Sequence, residues 1–400
     1  MARIMIVAGG DWQVELVKKA KEMGHYVICS NLYEDSPAFK HADACEVADI
    51  LDKDLNLKIA RKHSPDAVIS DQSDLAVPTV AYLNECLGLK GIGIDKADLF
   101  TDKSMQREFC KNNDIAIPDY TVCDTADDAI SLLEKYGKIV IKPIDSQSSR
   151  GVFTITNKED LKEKFNEAAS WSNRRRVVLA EEYIEGDEFT VDGLVVDGTH
   201  YPLCISIKEM YPNNNNISRT QSYSYLSDKY DYDLLRKTNK DLIEKAGLSM
   251  GLTHSEYRER NGIYYLVESG ARGGGSNLSA KIVPFMSGVD NYEYLINEAL
   301  AKNVSIDNLK SHKFSTDRYV IMRFFDFKEG VVDHVEGEDY LKHHPMMIDY
   351  QLEIEPGSVL KKPAYGRLRP GHFIIGGDSK NDVEAEANAI VEKVRVVYSQ

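Results

Sequence analysis

Basic residues are scarce in this chain. Lys and Arg total 49 against 64 Asp and Glu, a formal charge of −15 over 400 residues. A surface this acidic repels a polyanionic backbone, which argues against general nucleic-acid binding and leaves room only for a local basic pocket. No run reaches the roughly 18 apolar residues of a membrane-crossing helix. The apolar stretch at the start lasts about five residues before Gly9, Gly10 and Asp11, so it reads as strand and turn rather than as a leader. The six cysteines (29, 45, 86, 110, 123 and 204) form no C-x-x-C pair and no dense framework, as expected of reduced thiols in a cytoplasmic enzyme. Neither G-x-G-x-x-G nor G-x-x-x-x-G-K-[ST] occurs, which disfavours a nicotinamide-dependent oxidoreductase and excludes a Walker A loop. There is no internal repeat, and low complexity is confined to Asn213–Asn216.

What is present is a globular composition, 42% hydrophobic and 28% charged, long enough for two or three domains. Short apolar runs at Arg3–Ala8, His25–Cys29 and Ala67–Ile69 alternate with helical spacing over 12–23 and 74–87. Residues 1–97 therefore read as a parallel βαβ domain whose strand ends, including Asp71–Asp74, border a site. A helix over 98–117 carries Lys103 and Arg107. Strands near 120–123, 138–143, 151–155 and 177–183 then surround helices near 125–136 and 158–169. Antiparallel strands follow over 187–210 and 252–270, separated by a polar stretch at 211–227 that reads as a mobile loop. The last segment, from 311, alternates strands with Gly and Pro turns and ends in a helix near 380–394.

The densest chemical signal is the pair of strands around Asn261-Gly262. A two-residue turn pairs Arg260 with Ile263; a three-residue loop pairs Glu259 with Ile263. The second register is preferred because it gathers Tyr257, Ile263, Tyr265 and Val267 on one face and His254, Glu256, Arg258 and Glu268 on the other. Glu256 and Glu268 then become diagonal neighbours whose carboxylates can share a Mg²⁺ ion. Directly after them, Gly270-Ala271-Arg272-Gly273-Gly274-Gly275-Ser276-Asn277 offers an arginine fork and backbone amides suited to an anion. A lysine ends the apolar run Ile139–Lys142 and precedes a hydroxyl-rich loop, Ser146-Gln147-Ser148-Ser149-Arg150-Gly151, whose donors suit phosphates.

Taken in order, Asp102-Lys103 with Arg107, Val140-Ile141-Lys142-Pro143, Ser149-Arg150-Gly151-Val152, Glu181-Glu182-Tyr183-Ile184-Glu185-Gly186-Asp187-Glu188, His254-Ser255-Glu256 and Glu268 to Gly274 resemble the ATP-grasp superfamily. The likeness is greatest to its carboxylate–amine ligases, including bacterial L-amino-acid ligases. The resemblance implies a fold of mixed α/β and α+β class: a Rossmann-like pre-grasp domain (1–97), a two-lobed ATP-grasp domain (98–310, small lobe about 118–186) and a C-terminal lid (311–400). It further implies ATP and Mg²⁺ as cofactors, with Mn²⁺ as a substitute. Lys103 and Lys142 would contact phosphates beneath a loop containing Ser146, Ser148, Ser149 and Gly151. Glu181, Glu182, Tyr183 and Ile184 would form the adenine hinge, Glu188 would meet the ribose, and Lys208 would be a further phosphate contact. Glu256 and Glu268 would hold metal, and Arg272 would act with Glu268 on the transferred phosphoryl group or the acid. Arg219, Gly273, Gly274 and Asn277 are expected near substrate, and His254 reads either as a base or as a structural histidine.

Two departures stand out. Gly270 occupies the place where the family commonly has a metal-ligating Asn, and Ser148-Ser149 stand in a loop usually richer in glycine. The expected activity is ligation of a small carboxylic acid to an amine through an acylphosphate, with no nucleic-acid or membrane partner and a homodimeric assembly. A phosphotransferase that stops at a phosphorylated product, or a non-catalytic nucleotide-binding subunit, are the alternatives.

Overall fold

A computed structural model describes residues 1–172, 176–212, 214–311 and 317–399. Strand Arg3–Val7 is apolar along its whole length because both of its faces are covered. Ile4 and Ile6 enter one core, and Met5 and Val7 enter another on the opposite side. It pairs in parallel with Tyr26–Asn31 and Ala67–Ile69, and Ala44–Val47 adds a fourth strand. That strand and the helix Lys53–His63 are polar enough at their exposed positions to escape the apolar pattern.

The expected single helix over 98–117 is two helices, Ile94–Thr101 and Lys103–Asn112, followed by irregular chain. Asp102 breaks it: its backbone is extended, and its carboxylate accepts the amides of Ser104 and Met105, capping the second helix. This places Lys103 on the first turn, with its amide bonded to the Ile144 carbonyl.

The four strands expected between 120 and 183 lie where the sequence puts them, at Tyr120–Cys123, Ile139–Pro143, Phe153–Ile155 and Val178–Glu182. They form an antiparallel sheet with Val178–Glu182 and Ile139–Pro143 central. A second antiparallel sheet has eight strands, in the order Ile263–Gly270, Gly251–Arg260, Glu188–Val196, Thr199–Tyr211, Asn214–Tyr223, Tyr319–Phe324, Gly371–Gly377 and Met347–Leu352. The final segment is thus built into this sheet through Tyr319–Phe324. The segment expected to be a mobile loop, 211–227, is mostly the strand Asn214–Tyr223, inside the sheet; its Asn213 lies outside the described residues. Its polarity misleads because Ile217 and Tyr223 belong to a core while Asn216, Ser218 and Gln221 line a cavity inside the molecule.

The hairpin register also differs from expectation. Arg260 pairs with Ile263 around a two-residue turn, with Asn261 and Gly262 both in the left-handed region at φ 56° and 79°. The apolar face is Tyr257, Tyr264 and Leu266, not Ile263, Tyr265 and Val267. Charge on the other face is tolerated because Arg260 lies over the Tyr265 ring, 5.0 Å from its centroid, and pairs with Glu182. A bulge after Glu256 then shifts the pairing, so that Glu256 stands directly opposite Glu268 instead of diagonal to it.

The link between the two lobes turns at Gly186, where φ is 148°. A Cβ there would collide with the Glu259 carbonyl oxygen. Gly186→Ala should therefore lower stability by about 2 kcal/mol or more, read as a fall in the denaturant midpoint at unchanged slope.

Candidate active site

Strand geometry puts Glu256 and Glu268 side by side on one face, and a cleft between the two sheets collects what faces them. Lys103, Lys142, Ser146, Ser149, Glu181, Glu182, Tyr183, Ile184, Glu188, Glu256 and Glu268 all border one cavity. An adjoining cavity shares Ser149, Glu188, Glu256 and Glu268 and adds Ser148, Lys208, His254, Arg272, Trp12 and Asp74. The sequence thus names most of the wall, and the fold brings its separate segments together.

Each of the three lysines here is held by an anion. Lys103 Nζ lies 2.8 Å from Glu268 and donates to the Ser146 carbonyl at 2.7 Å. Lys208 bridges Glu188 and Glu256 at 2.9 and 2.6 Å. Lys142 pairs with Glu181 at 2.6 Å, and Glu181 also accepts from the fully buried Arg107. Burial pushes the Lys142 ammonium down, with Glu181 opposing it; burial pushes Glu181 up, and Arg107 and Lys142 together outweigh that and lower it. Glu181 is therefore an ionised anchor inside a central strand. Of the expected hinge, its side chain serves to position Lys142.

Burial also opposes the charge on Glu256, yet Lys208 and His254 hold its carboxyl well below the usual range. His254 donates toward Asp192 at 2.8 Å and Glu256 at 3.4 Å. Burial disfavours its cation, but those two carboxylates raise the imidazole to about 9. At neutral pH it carries a proton on each nitrogen and orients Glu256, the structural of the two readings that the sequence left open.

Tyr183 and Ile184 of the expected hinge are fixed by Arg258, to which the sequence reading gave no role. It donates to Glu188 at 3.0 Å and to the Ile184 carbonyl at 3.1 Å, and its guanidinium sits 4.7 Å from the Tyr183 ring centroid. In the serine-rich loop, Ser148, Ser149 and Gly151 all take left-handed backbone at φ 59°, 57° and 72°. The two serines adopt a conformation that favours glycine, which stores strain in the loop.

The glycine-rich stretch plays a different part from the one expected. Arg272 turns its fork to Asp74, with bonds of 2.9 and 2.8 Å, and burial of its charge is more than offset by that carboxylate. Asp71 accepts the amide of Gly273 at 2.7 Å and the hydroxyls of Ser279 and Tyr292. A Cβ on Gly273 would lie within 2.7 Å of Asp71 and Ser279, and one on Gly274 within 3.1 Å of Leu278, Asp192 and His254. These glycines admit neighbouring protein atoms rather than a ligand. Asn277 bonds Gln72 and Asp349 and borders neither cavity. Arg219 also lies outside both, paired with Glu209 across its hairpin. Gly270, at the place of the family's Asn, leaves room for Asp74, whose carboxylate would lie 3.2 Å from a Cβ there. Asp192 had a readable signal, a lone carboxylate within the apolar run Phe189–Leu194.

Among the described residues no group of three or more His, Cys, Asp or Glu side chains is gathered for a metal, and no helix is long and apolar enough to cross a membrane. All six cysteines are unpaired.

Comparison with known proteins agrees with this geometry. Residues 136–280 match the ATP-grasp domain, and 323–399 match the L-amino acid ligase C-terminal domain 2. A formate-dependent phosphoribosylglycinamide formyltransferase of Erythrobacter litoralis is 27% identical over 195 residues, covering 46% of this chain and 48% of the relative. One from Prochlorococcus marinus is 26% identical over 223 residues, covering 53% and 56%. The chain therefore spans about half the length of the curated relatives it matches. In fold it superposes on an L-amino acid ligase from Bacillus licheniformis with a TM-score of 0.85 at 19% identity, covering 100% of this chain and 99% of the other. An N5-carboxyaminoimidazole ribonucleotide synthetase from Thermotoga maritima gives a TM-score of 0.74 at 19% identity, covering 100% of both. Residues 136–280 thus carry an ATP-grasp domain, within a fold that is similar along its length to that of an L-amino acid ligase.

Proposed function

We propose that this protein is an ATP-dependent carboxylate–amine ligase acting on small molecules and releasing ADP and phosphate. The observation that carries this reading is the opposed pair Glu256–Glu268, lining one cleft with Lys103, Lys142 and Lys208. Three lysines in a chain of net charge −15 form the local basic pocket that a triphosphate needs. Two carboxylates without a third protein ligand fit Mg²⁺, which keeps its other positions for water and phosphate oxygens; Mn²⁺ fits the same donors. When bound on Glu256 and Glu268, the ion supplies charge neutralisation for the transferred phosphoryl group.

The chain's own residues do the rest. Glu182, Tyr183 and Ile184 border the base end of the cleft, with Glu188 at the ribose. Lys103, Lys142 and the loop containing Ser146, Ser148, Ser149 and Gly151 hold the phosphates, and Lys208 steadies the Glu188–Glu256 side. Arg272, oriented by Asp74, stands beside the carboxylate pair where an acid substrate would approach. In the reaction an acid oxygen bonds to the γ-phosphorus as the bond to the ADP oxygen breaks. The amine then attacks the acyl carbon, phosphate leaves, and the nitrogen loses a proton. No side chain is assigned as the acceptor of that proton, since His254 is already charged. Water must be kept from the acylphosphate, a task suited to the strained serine loop over the cleft. The divisions at 1–97, 98–310 and 311–400 belong to the same reading, with the cleft between them; so do a cytoplasmic setting and a homodimer.

Glu268→Gln should lower acid-dependent phosphate release from ATP at least about 100-fold, with thermal unfolding nearly unchanged, because it removes a charge that stabilises the transition state. Release at the wild-type rate would refute the metal role. With hydroxylamine replacing the amine, the wild-type protein should yield a hydroxamate from the acid. A phosphorylated product inert to hydroxylamine would instead favour the phosphotransferase reading.

A further inference from the structure

Beyond the carboxylate pair the cleft opens into a cavity of about 870 Å³ between the first domain's strand ends and the C-terminal segment. Trp12, Gln72, Ser276, Phe324 and Arg369 belong both to this cavity and to the one that holds Glu256, Glu268 and Arg272, so the two are continuous. Arg369 stands at their junction.

Its bonding is unlike that of three other arginines in or behind the cleft. Arg107, Arg258 and Arg272 each pair with a carboxylate. Arg369 instead donates to two carbonyls, Nε to Gly366 at 2.7 Å and Nη1 to Ser218 at 3.1 Å. Its guanidinium also lies flat on chemistry suited to it, 3.3 Å from the Phe324 ring centroid. Among the described residues it forms no ion pair, and burial lowers it to about 10 with only Tyr211 and Glu353 acting weakly against that. A half-buried cation held by carbonyls and a ring is oriented but not neutralised, which leaves its charge available to an anion in the cavity. Beside it His372 is buried with an unpartnered Nε2 and is kept neutral, lowered to about 4 by burial and by Arg369.

We propose that Arg369 is a specificity-determining receptor for a non-reacting anionic group, a carboxylate or phosphate, on one of the two substrates. The inference rests on the ligase reading, since it takes the Glu256–Glu268 end as the place of reaction. The planar fork of arginine matches either oxyanion. The site lies across the cleft junction from the reacting end, so the substrate it selects carries its anion away from the bond that forms.

The test uses the full chain and paired probes that differ in one charge. In phosphate-release assays succinate is compared with succinamate, alanine with alaninamide, and phosphoethanolamine with ethanolamine, the last pair separating phosphate from carboxylate. The wild-type protein should favour the more anionic member of at least one pair at least tenfold in kcat/KM. Arg369→Gln should remove that preference through KM while leaving the less anionic member within about twofold, and Arg369→Lys should restore part of it. Equal use of both members by wild type, or an equal loss for both in Arg369→Gln, would overturn the proposal. Tryptophan fluorescence, reporting through Trp12, provides a reading independent of turnover: succinate and inorganic phosphate are titrated against wild type and Arg369→Gln. A saturable change in wild type that Arg369→Gln abolishes supports the receptor even if no acid drives phosphate release. No difference between the two proteins rejects it even if ligation is demonstrated.

Discussion

The fold converges on an exchange of charge partners. In the structure Glu256 holds Lys208, Glu268 holds Lys103 and Glu181 holds Lys142, each at less than 3 Å. On the proposed reading, a metal–triphosphate brings a cation for the carboxylates and anions for the lysines, so every pair trades one partner for another of like charge. Nothing buried is left uncompensated at either end of that exchange, which is the requirement for burying several charges in one cleft. Glu181 is the exception that stays put, because Arg107 remains on it whatever Lys142 does.

That arrangement depends on where chain segments far apart in sequence are brought together. The cap at Asp102 sets Lys103 on a helix end against strand Ile263–Gly270, and Gln106 bonds both the amide and the carbonyl of Ser269 on that strand. The loop after Ala67–Ile69 brings Asp71 and Asp74 to the opposite side, where they fix Gly273 and Arg272. The first parallel sheet thus contributes to the cleft even though it supplies none of the lysines.

The sequence disclosed the local pieces well and the pairings poorly. Strand runs such as Ile139–Pro143 and Val178–Glu182 were readable because apolar alternation and turn residues delimit them. The hairpin register was misread because burial of Tyr264 and Leu266 rather than Tyr265 and Val267 depends on the layer packed beneath, which period alone does not reveal. Strand Asn214–Tyr223 was taken for a loop because its polar residues face a cavity, an interior that looks like a surface from composition. Arg219, Asn277 and the glycines drew attention by residue type, which suggests a ligand, whereas in the structure they meet Glu209, Asp349, Ser279 and Leu278. Glu256, Glu268, Lys142 and Lys208 lie on strands that aim them into one cleft, and Lys103 joins them from the first turn of its helix.

The most direct measurement is Mn²⁺ binding followed by electron paramagnetic resonance, with and without ATP, on the wild-type chain and on Glu256→Gln. If the opposed glutamates hold the metal of a nucleotide complex, ATP should increase the bound Mn²⁺ on the wild-type protein, and the substitution should abolish most of that increase. Bound Mn²⁺ that ignores both ATP and the substitution would contradict the placement of metal and triphosphate in this cleft.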